Sequence, residues 1–463
     1  MSERNPTHRP VTGPRPSRRR VLQAAAAAAA GTLGASALAS CGSAAGGKVE
    51  LDYWLWDALQ LPGYSQAIDV FMEQNPDITV RVTQLGWDDY WTKLTASFVA
   101  EAGPDVFTDH LARFPEFVSL GVIQPLDDFD PIRAIPKDRF QQGLQELWTG
   151  QDGKKYGIPK DYDTVALMYD KPSLKKAGLS PEDLADLEWN PQDGGSFEQV
   201  LARLSIDTEG RRGDEKGFDP HKVACFGMGA DPGIDYTGQT SWSPFAFSTG
   251  WTFMNKRTWG TRFQYDDERF AATMDWIFGL VDKGFFPPFG KFGESSPPQT
   301  QLQGGKAGLT VAGSWMIGTY AGLDGIDLGI APLPRGPIGT PMSMFNGLGD
   351  SLSAQSDHPE EAARLIAFLG SDDSQTIIGS RAIVFPATDA GTEAAVEAYE
   401  DDGLDVSPFT DRVHKGQTGL YPLAEHSASI MAIMQPAMDR AWQGKISGKD
   451  FASYNKRVNA LFD

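Results

Sequence analysis

Aromatic side chains stand beside carboxylates and amides at several points along this 463-residue chain. Trp56-Asp57 comes first, then Gln84, then Asp109-His110 and Asp161-Tyr162-Asp163. Trp251 and Asn255 lie in an aromatic stretch with Trp242, Phe245 and Phe247, and Trp315 follows Gly313-Ser314. An indole face packs against apolar C–H surface, while carboxylate, amide and imidazole ends pair with hydroxyl groups. Together these types suit contact with a ligand that has both apolar and hydrogen-bonding surface. The same residues have plainer roles open to them. Trp56 and Trp315 could pack in a core, Asp109 and Asp161 could cap turns, and His110 could be a hydrogen-bonding neighbour. Trp251 and Asn255 could belong to a satellite core.

Bond-breaking chemistry finds less support. Gly304-Gly305-Lys306 lacks the first Gly of a phosphate-binding loop and continues into Ala307 instead of Ser or Thr. Gly347-Leu348-Gly349 lacks the third Gly of a dinucleotide fingerprint. No Gly-x-Ser-x-Gly elbow accompanies a triad, and no acidic loop has calcium spacing. The six His residues show no ligand spacing, and two cysteines cannot build a disulfide scaffold or a thiolate zinc site. No catalytic residue, cofactor or metal is therefore expected.

One cysteine does have a reactive setting. Leu38-Ala39-Ser40-Cys41-Gly42 has the pattern of a bacterial lipobox, in which small residues let a peptidase close on the backbone and the Cys41 thiol takes a lipid. Upstream, Arg18-Arg19-Arg20 precedes the weakly apolar run Ala24–Ala30, the layout of an export signal of twin-arginine type, with Val21 and Gln23 departing from the usual residues. The run is too rich in Ala, Gly and Ser to hold in hydrocarbon as a spanning helix. Residues 1–40 read as a signal peptide and 41–47 as a lipidated flexible tether, placing the body outside the cytoplasm, anchored to the cell membrane through Cys41.

The body must position the aromatic and polar set. Val49 to Trp56 is strand-like, and Pro62-Gly63 reads as a turn. Ala67, Ile68, Phe71 and Met72 then recur at helical spacing up to Asn75-Pro76. Ile78–Val82 alternates as a second strand, Asp88 is placed to cap a helix through Trp91, Leu94 and Phe98, and Asp105–Thr108 gives a third strand. This alternation predicts parallel βαβ units. Further on, Val165–Tyr169 and Gly308–Gly313 read as strands. Ser196 is placed to cap a helix through Leu204, and Phe270–Leu280, Glu360–Leu369 and Ala432–Trp442 read as helices. Length calls for two domains or one large one. The 41 basic against 61 acidic residues leave a charge of −20, and removing residues 1–40 leaves −25, which excludes a nucleic-acid partner.

Four segments then carry a family resemblance. They are Leu51–Trp56 with Asn75–Val80; Gly103-Pro104-Asp105-Val106-Phe107; Tyr156-Gly157-Ile158-Pro159 leading to Leu167–Lys171; and Gly305–Gly308 leading to Gly313–Met316. In this order, along nearly the whole mature chain, they resemble the extracellular solute-binding proteins of ABC importers, in the cluster of maltose-binding-protein-like sugar binders. The resemblance implies an α/β, two-lobed periplasmic-binding-protein fold with a hinge and an interlobe ligand cleft. It puts the N-terminal lobe at 48–161 plus 307–343 and the C-terminal lobe at 162–306 plus 344–463. It adds Asn346 and Gly347, beyond a Pro-rich crossing, to the ligand contacts. The expected role is a non-catalytic monomer that captures a sugar or oligosaccharide and hands it to the transmembrane subunits of an ABC permease. An exported glycoside hydrolase, or a receptor for a non-sugar solute, stands as the alternative.

Overall fold

The computed structural model describes residues 48–230, 235–293 and 296–463. The export signal, Cys41 and the tether lie outside the described residues. Ten strands build two five-stranded sheets: β1 (Val49–Leu55), β2 (Ile78–Gln84), β3 (Val106–His110), β4 (Ile158–Pro159), β5 (Val165–Asp170), β6 (Ile206–Asp207), β7 (Val223–Met228), β8 (Ala307–Gly313), β9 (Leu328–Ala331) and β10 (Leu348–Leu352). The first sheet has the order β2-β1-β3-β10-β4 and the second β9-β5-β8-β7-β6.

The first βαβ units form where the spacing predicts them. Helix α1 (Leu61–Gln74) buries Tyr64, Ala67, Ile68 and Phe71 on one face. It ends where Asn75 donates from both its backbone N–H and its side-chain Nδ2 to the Phe71 carbonyl. Strand β1 then runs parallel to β2, with Leu51 opposite Val80, and parallel to β3. Helix α2 (Trp87–Val99) packs Tyr90, Trp91, Leu94 and Phe98 inward.

Three local expectations are corrected. Pro62-Gly63 is the first turn of α1 and not a separate turn, because Pro lacks the N–H that an initial helical position leaves unbonded anyway. Asp88 sits inside α2, whose N-cap is Gly86. The helix Gly195–Leu204 is capped at Gly194, and the Ser196 hydroxyl instead accepts the Glu188 N–H.

The lobe boundaries also need correction. Strand β8 pairs antiparallel with β5 and parallel with β7, so residues 307–313 belong to the second sheet. Strand β10 pairs antiparallel with β3, Gly349 opposite Asp109, so residues 348–352 belong to the first. A buried strand goes where its edge groups find ladder partners, and neither β8 nor β10 carries a side-chain signal that tells one sheet from the other. The chain passes from first sheet to second between Pro159 and Val165, and returns between Ala331 and Leu348.

These two crossings are tied to each other. Asp163 N–H donates to the Asn346 carbonyl at 2.8 Å, and Asn346 N–H donates back to the Asp163 carbonyl at 3.1 Å. Leu348 N–H donates to Asp161 Oδ1 at 2.8 Å. One apolar cluster, including Leu51, Phe71, Ile78 and Leu365, lies on one face of the first sheet. A larger one holds the second sheet's core and reaches Tyr90, Trp91, Phe107 and Phe117 of the first.

Candidate ligand-binding cleft

A cavity of about 380 Å³ opens where the carboxyl ends of the strands meet the crossings. From the first sheet it takes Trp56, Asp57 and Gln60 beyond β1, Trp87 at the start of α2, and His110 and Ala112 beyond β3. The crossings give Asp163, Asn346 and Leu348. From the second sheet come Asp235 and Gln239, beyond β7, and Trp315, beyond β8, while Tyr421 follows the short strand Thr418–Leu420. Strand ends are where α/β sheets expose loops and unpaired polar groups, and the size suits a small organic ligand.

The aromatic wall is built by mutual support. The Trp56 ring packs edge-on to Trp87 and Tyr90, each at 5.1 Å, and tilted against Trp91 at 5.2 Å. Trp87 meets His110 edge-on at 5.8 Å. Across the cleft His110 meets Tyr421 edge-on at 6.0 Å. Gln84, placed in the ligand set by sequence, does not line the cavity. Its Nε2 donates to the Trp56 carbonyl at 2.7 Å and so steadies the strand end that carries Trp56.

Electrostatics sort the polar residues. His110 Nδ1 accepts the Ala112 N–H at 3.0 Å, its Nε2 lies 3.2 Å from Asn346 Nδ2, and burial pulls its pKa down to about 4. The imidazole is therefore neutral at pH 7. Asp163 accepts from the Ser314 hydroxyl at 2.7 Å. Burial, and then the charges of Asp161 and Asp57, push its carboxyl well above the usual range. Asn346 is 3% exposed, and one end of its side-chain amide has no partner among the described residues. Gln239 Nε2 is likewise unpaired. Leaving such groups unsatisfied costs about 1–3 kcal/mol each, which a hydrogen-bonding ligand in this cavity would recover.

Beneath the cleft lies a second polar layer. Lys160 is 1% exposed; its Nζ donates to Thr108 Oγ1 at 2.7 Å and to the Tyr53 hydroxyl at 3.0 Å, and lies over the Tyr64 ring at 3.8 Å. Asp350 completes the group 3.8 Å away and accepts the Tyr53 hydroxyl at 2.9 Å. This layer joins β1, β3, β10 and the first crossing.

Several residues singled out by sequence fall in supporting positions. Asp109 is fully buried, accepts the His110 N–H, and is pushed by burial up to about 8; it does not line the cavity. Asp161 holds the Leu348 N–H, and burial raises it to about 7. Gly347 serves by its lack of a side chain, since a Cβ there would stand 2.6 Å from the Asp161 carbonyl oxygen. Trp251 and Asn255 are corrections. Trp251 is 1% exposed among Trp242, Phe253 and Phe270, and its indole N–H donates to the Gln264 carbonyl. Asn255 is exposed in a separate depression and accepts the Thr261 and Arg262 N–H groups. Aromatic density marked them, but that signal does not distinguish core from wall.

Gln60, Asp235, Gln239 and Tyr421 were missed. No local pattern marks Tyr421, which arrives from far along the chain, with its N–H donating to the Phe345 carbonyl. Among the described residues no His/Cys/Asp/Glu group is placed to hold a metal, and no helix is long and apolar enough to cross a membrane. Burial pushes the Cys225 thiol up to about 11, which makes it a poor nucleophile.

Comparison with known proteins bears on this geometry. The chain is 29% identical over 154 residues to an arabinooligosaccharide-binding protein of Bacillus subtilis, an alignment spanning 33% of this chain and 35% of the relative. A maltodextrin-binding protein of the same organism, MdxE, is 24% identical over 335 residues and 72% of each chain. Among solved structures, UspC of M. tuberculosis superposes with a TM-score of 0.70 at 22% identity, over 90% of this chain and 100% of that one. The substrate-binding protein Lmo0181 of Listeria monocytogenes, in complex with cycloalternan, gives 0.72 at 17% identity, over 90% and 99%. These likenesses establish the two-lobed fold. Residues 66–403 match the model of the bacterial extracellular solute-binding proteins, and the chain belongs to that family.

Proposed function

We propose that this chain captures a sugar or oligosaccharide in the cleft between its two sheets and presents it to an ABC permease without altering it. The observation that carries the reading is the pairing of Trp56, Trp87, Trp315 and Tyr421 with the unsatisfied amide groups of Asn346 and Gln239. Pyranose rings offer apolar C–H faces to the indoles, and their hydroxyls both donate and accept. The names of the relatives, which bind arabinooligosaccharide and maltodextrin, support it. Contacts to both lobes at once would favour the closed form, since only differential affinity shifts such a balance. Lipidation of Cys41 would keep the receptor beside its permease. Membrane pelleting of Cys41→Ser at the level of the unaltered chain would remove that anchor from the account.

Thermal unfolding with a panel of mono- and oligosaccharides tests the binding role, because a ligand of the folded state raises the melting temperature by mass action. At least one sugar is expected to raise it, and Trp315→Ala should reduce that shift while leaving the unliganded melting temperature nearly unchanged. A panel without a single shift would overturn the reading, as would recovery of a shortened sugar after incubation.

A further inference from the structure

Among the described residues, Lys160 and Arg412 are the Lys and Arg side chains withdrawn from solvent. Lys160, beneath the cleft, is met by Tyr53, Thr108, Asp350 and the face of Tyr64. Arg412 is 7% exposed and has no such company. Its guanidinium makes no hydrogen bond among the described residues, and its Nε is buried without a partner. The Asp411 carboxylate lies 3.8 Å from Arg412 Nη2, beyond hydrogen-bond reach, and is engaged instead by Lys415 Nζ at 2.5 Å. A guanidinium does not deprotonate in a protein, so the charge persists where burial makes it costly.

Arg412 lines a cavity of about 210 Å³ that shares no residue with the ligand cleft. It stands in the last turn of the helix Ser407–His414, with Lys415 just beyond, so both cations reach one wall. The carbonyls of that turn are already taken by the Lys415, Gly416 and Gln417 N–H groups, so the helix end offers no free acceptor. Gln417, which precedes the strand Thr418–Leu420, also lines the cavity, and its side-chain amide makes no hydrogen bond among the described residues. The opposite wall is Leu333 and Arg335 of the returning crossing, with Asp186. Asp186 is answered by Arg335, which holds it through Nε at 2.7 Å and Nη2 at 3.1 Å. What this cavity leaves unmet is therefore a set of donors: the Arg412 fork, two of the three Lys415 protons and the turnable Gln417 amide.

We propose that this cavity is an anion site for a phosphate group, inorganic or at the end of a monoester, anchored by the Arg412 guanidinium and joined by Lys415 and Gln417. The site goes beyond the carbohydrate reading and does not rest on it. A planar guanidinium matches two phosphate oxygens at once, and the remaining oxygens can accept from the ammonium and the amide. A carboxylate brings one charge and two oxygens, and leaves part of the donor set unmet. The net charge of −20 does not forbid an anion here, because charges beyond about 8 Å are largely screened at physiological ionic strength. Two charge-assisted hydrogen bonds correspond to a dissociation constant on the order of 0.1–10 mM.

Calorimetry on the full chain, without sugar and at constant ionic strength near neutral pH, tests this with inorganic phosphate, glycerol 3-phosphate, acetate and chloride. At least one phosphate is expected to bind, and Arg412→Gln to weaken it by at least about tenfold. Lys415→Gln, at a half-exposed side chain, is expected to weaken it by about two- to fivefold. Binding of the free ion alone, or of the monoester alone, supports the site and names the source of the group. Should Arg412→Gln unfold, which its melting curve reports, Lys415→Gln and Arg412→Lys carry the test, the latter keeping the charge without the fork. Phosphates that bind no better than chloride or acetate would overturn the proposal. So would phosphate affinity left unchanged by every variant that folds.

Discussion

Trp251 and Trp87 each stand in a cluster of aromatic rings, yet the first is 1% exposed and the second 49%. Around Trp251, the rings of Trp242, Phe253, Tyr265 and Phe270 close on all sides, and the indole N–H is satisfied by the Gln264 carbonyl. Around Trp87, the rings of Trp56, Trp91 and His110 support one side only, and the other faces the cleft. Ring counting does not separate them. What marks the cleft is incompleteness: an aromatic surface left half covered along the wall of a cavity. The second lobe invests its aromatics in cohesion, while the first keeps part of its set for a ligand.

Removing Trp251 gives the largest expected effect. Trp251→Ala should lower stability by about 3–5 kcal/mol through loss of packing and a cavity, measured by chemical denaturation, with sugar affinity of the folded fraction unchanged. A variant that kept its stability but lost its ligand would move Trp251 back into the site.

The second effect lies in pH dependence on the first-lobe side. Asp109, raised to about 8 by burial, keeps its proton when folded and loses it when unfolded across neutral pH. The folded state then binds more protons, so stability falls by about 1 kcal/mol per pH unit between pH 6.5 and 8. Asp161, raised to about 7, adds in the same direction up to that pH. Below about pH 6.5 His110 opposes both, since its folded pKa of about 4 lies under its unfolded value and stability from this group rises with pH there. Asp109→Asn should flatten the slope above pH 6.5 in urea titrations. An unchanged slope would place the proton on another group.

Trp87 gives the smallest change in stability and the sharpest contrast with Trp251. Trp87→Ala should move stability by less than about 0.5 kcal/mol, as an exposed site, while weakening sugar binding by roughly 2- to 10-fold. Equal losses in both measurements would erase the distinction between the two clusters.

Much of the first lobe could be read along the chain. The helical spacing of Ala67, Ile68 and Phe71 and the alternation of Ile78–Val82 place α1 and β2, because these elements are specified by local periodicity. Aromatic side chains standing near polar ones along the chain point to Trp56, Asp57, His110 and Trp315, all of which line the cavity. The same pattern also draws in Gln84, Asp109 and Asp161, one layer too deep, since residue type along the chain does not reveal which side chains turn towards the cleft.

Local patterns determine which segments become strands and helices, and the acidic, aromatic composition limits the partners, because each depends on near neighbours or on sums. Sheet membership depends on something else. Residues 307–313 and 348–352 are both fully buried strands, and either could have joined either sheet until the ladders formed. Tyr421 reaches the cleft, and Trp251 is withheld from it, through contacts with chain far away in sequence. Burial and partner identity are properties of the assembled fold, and they separate a ring that holds the protein together from one that waits for a ligand.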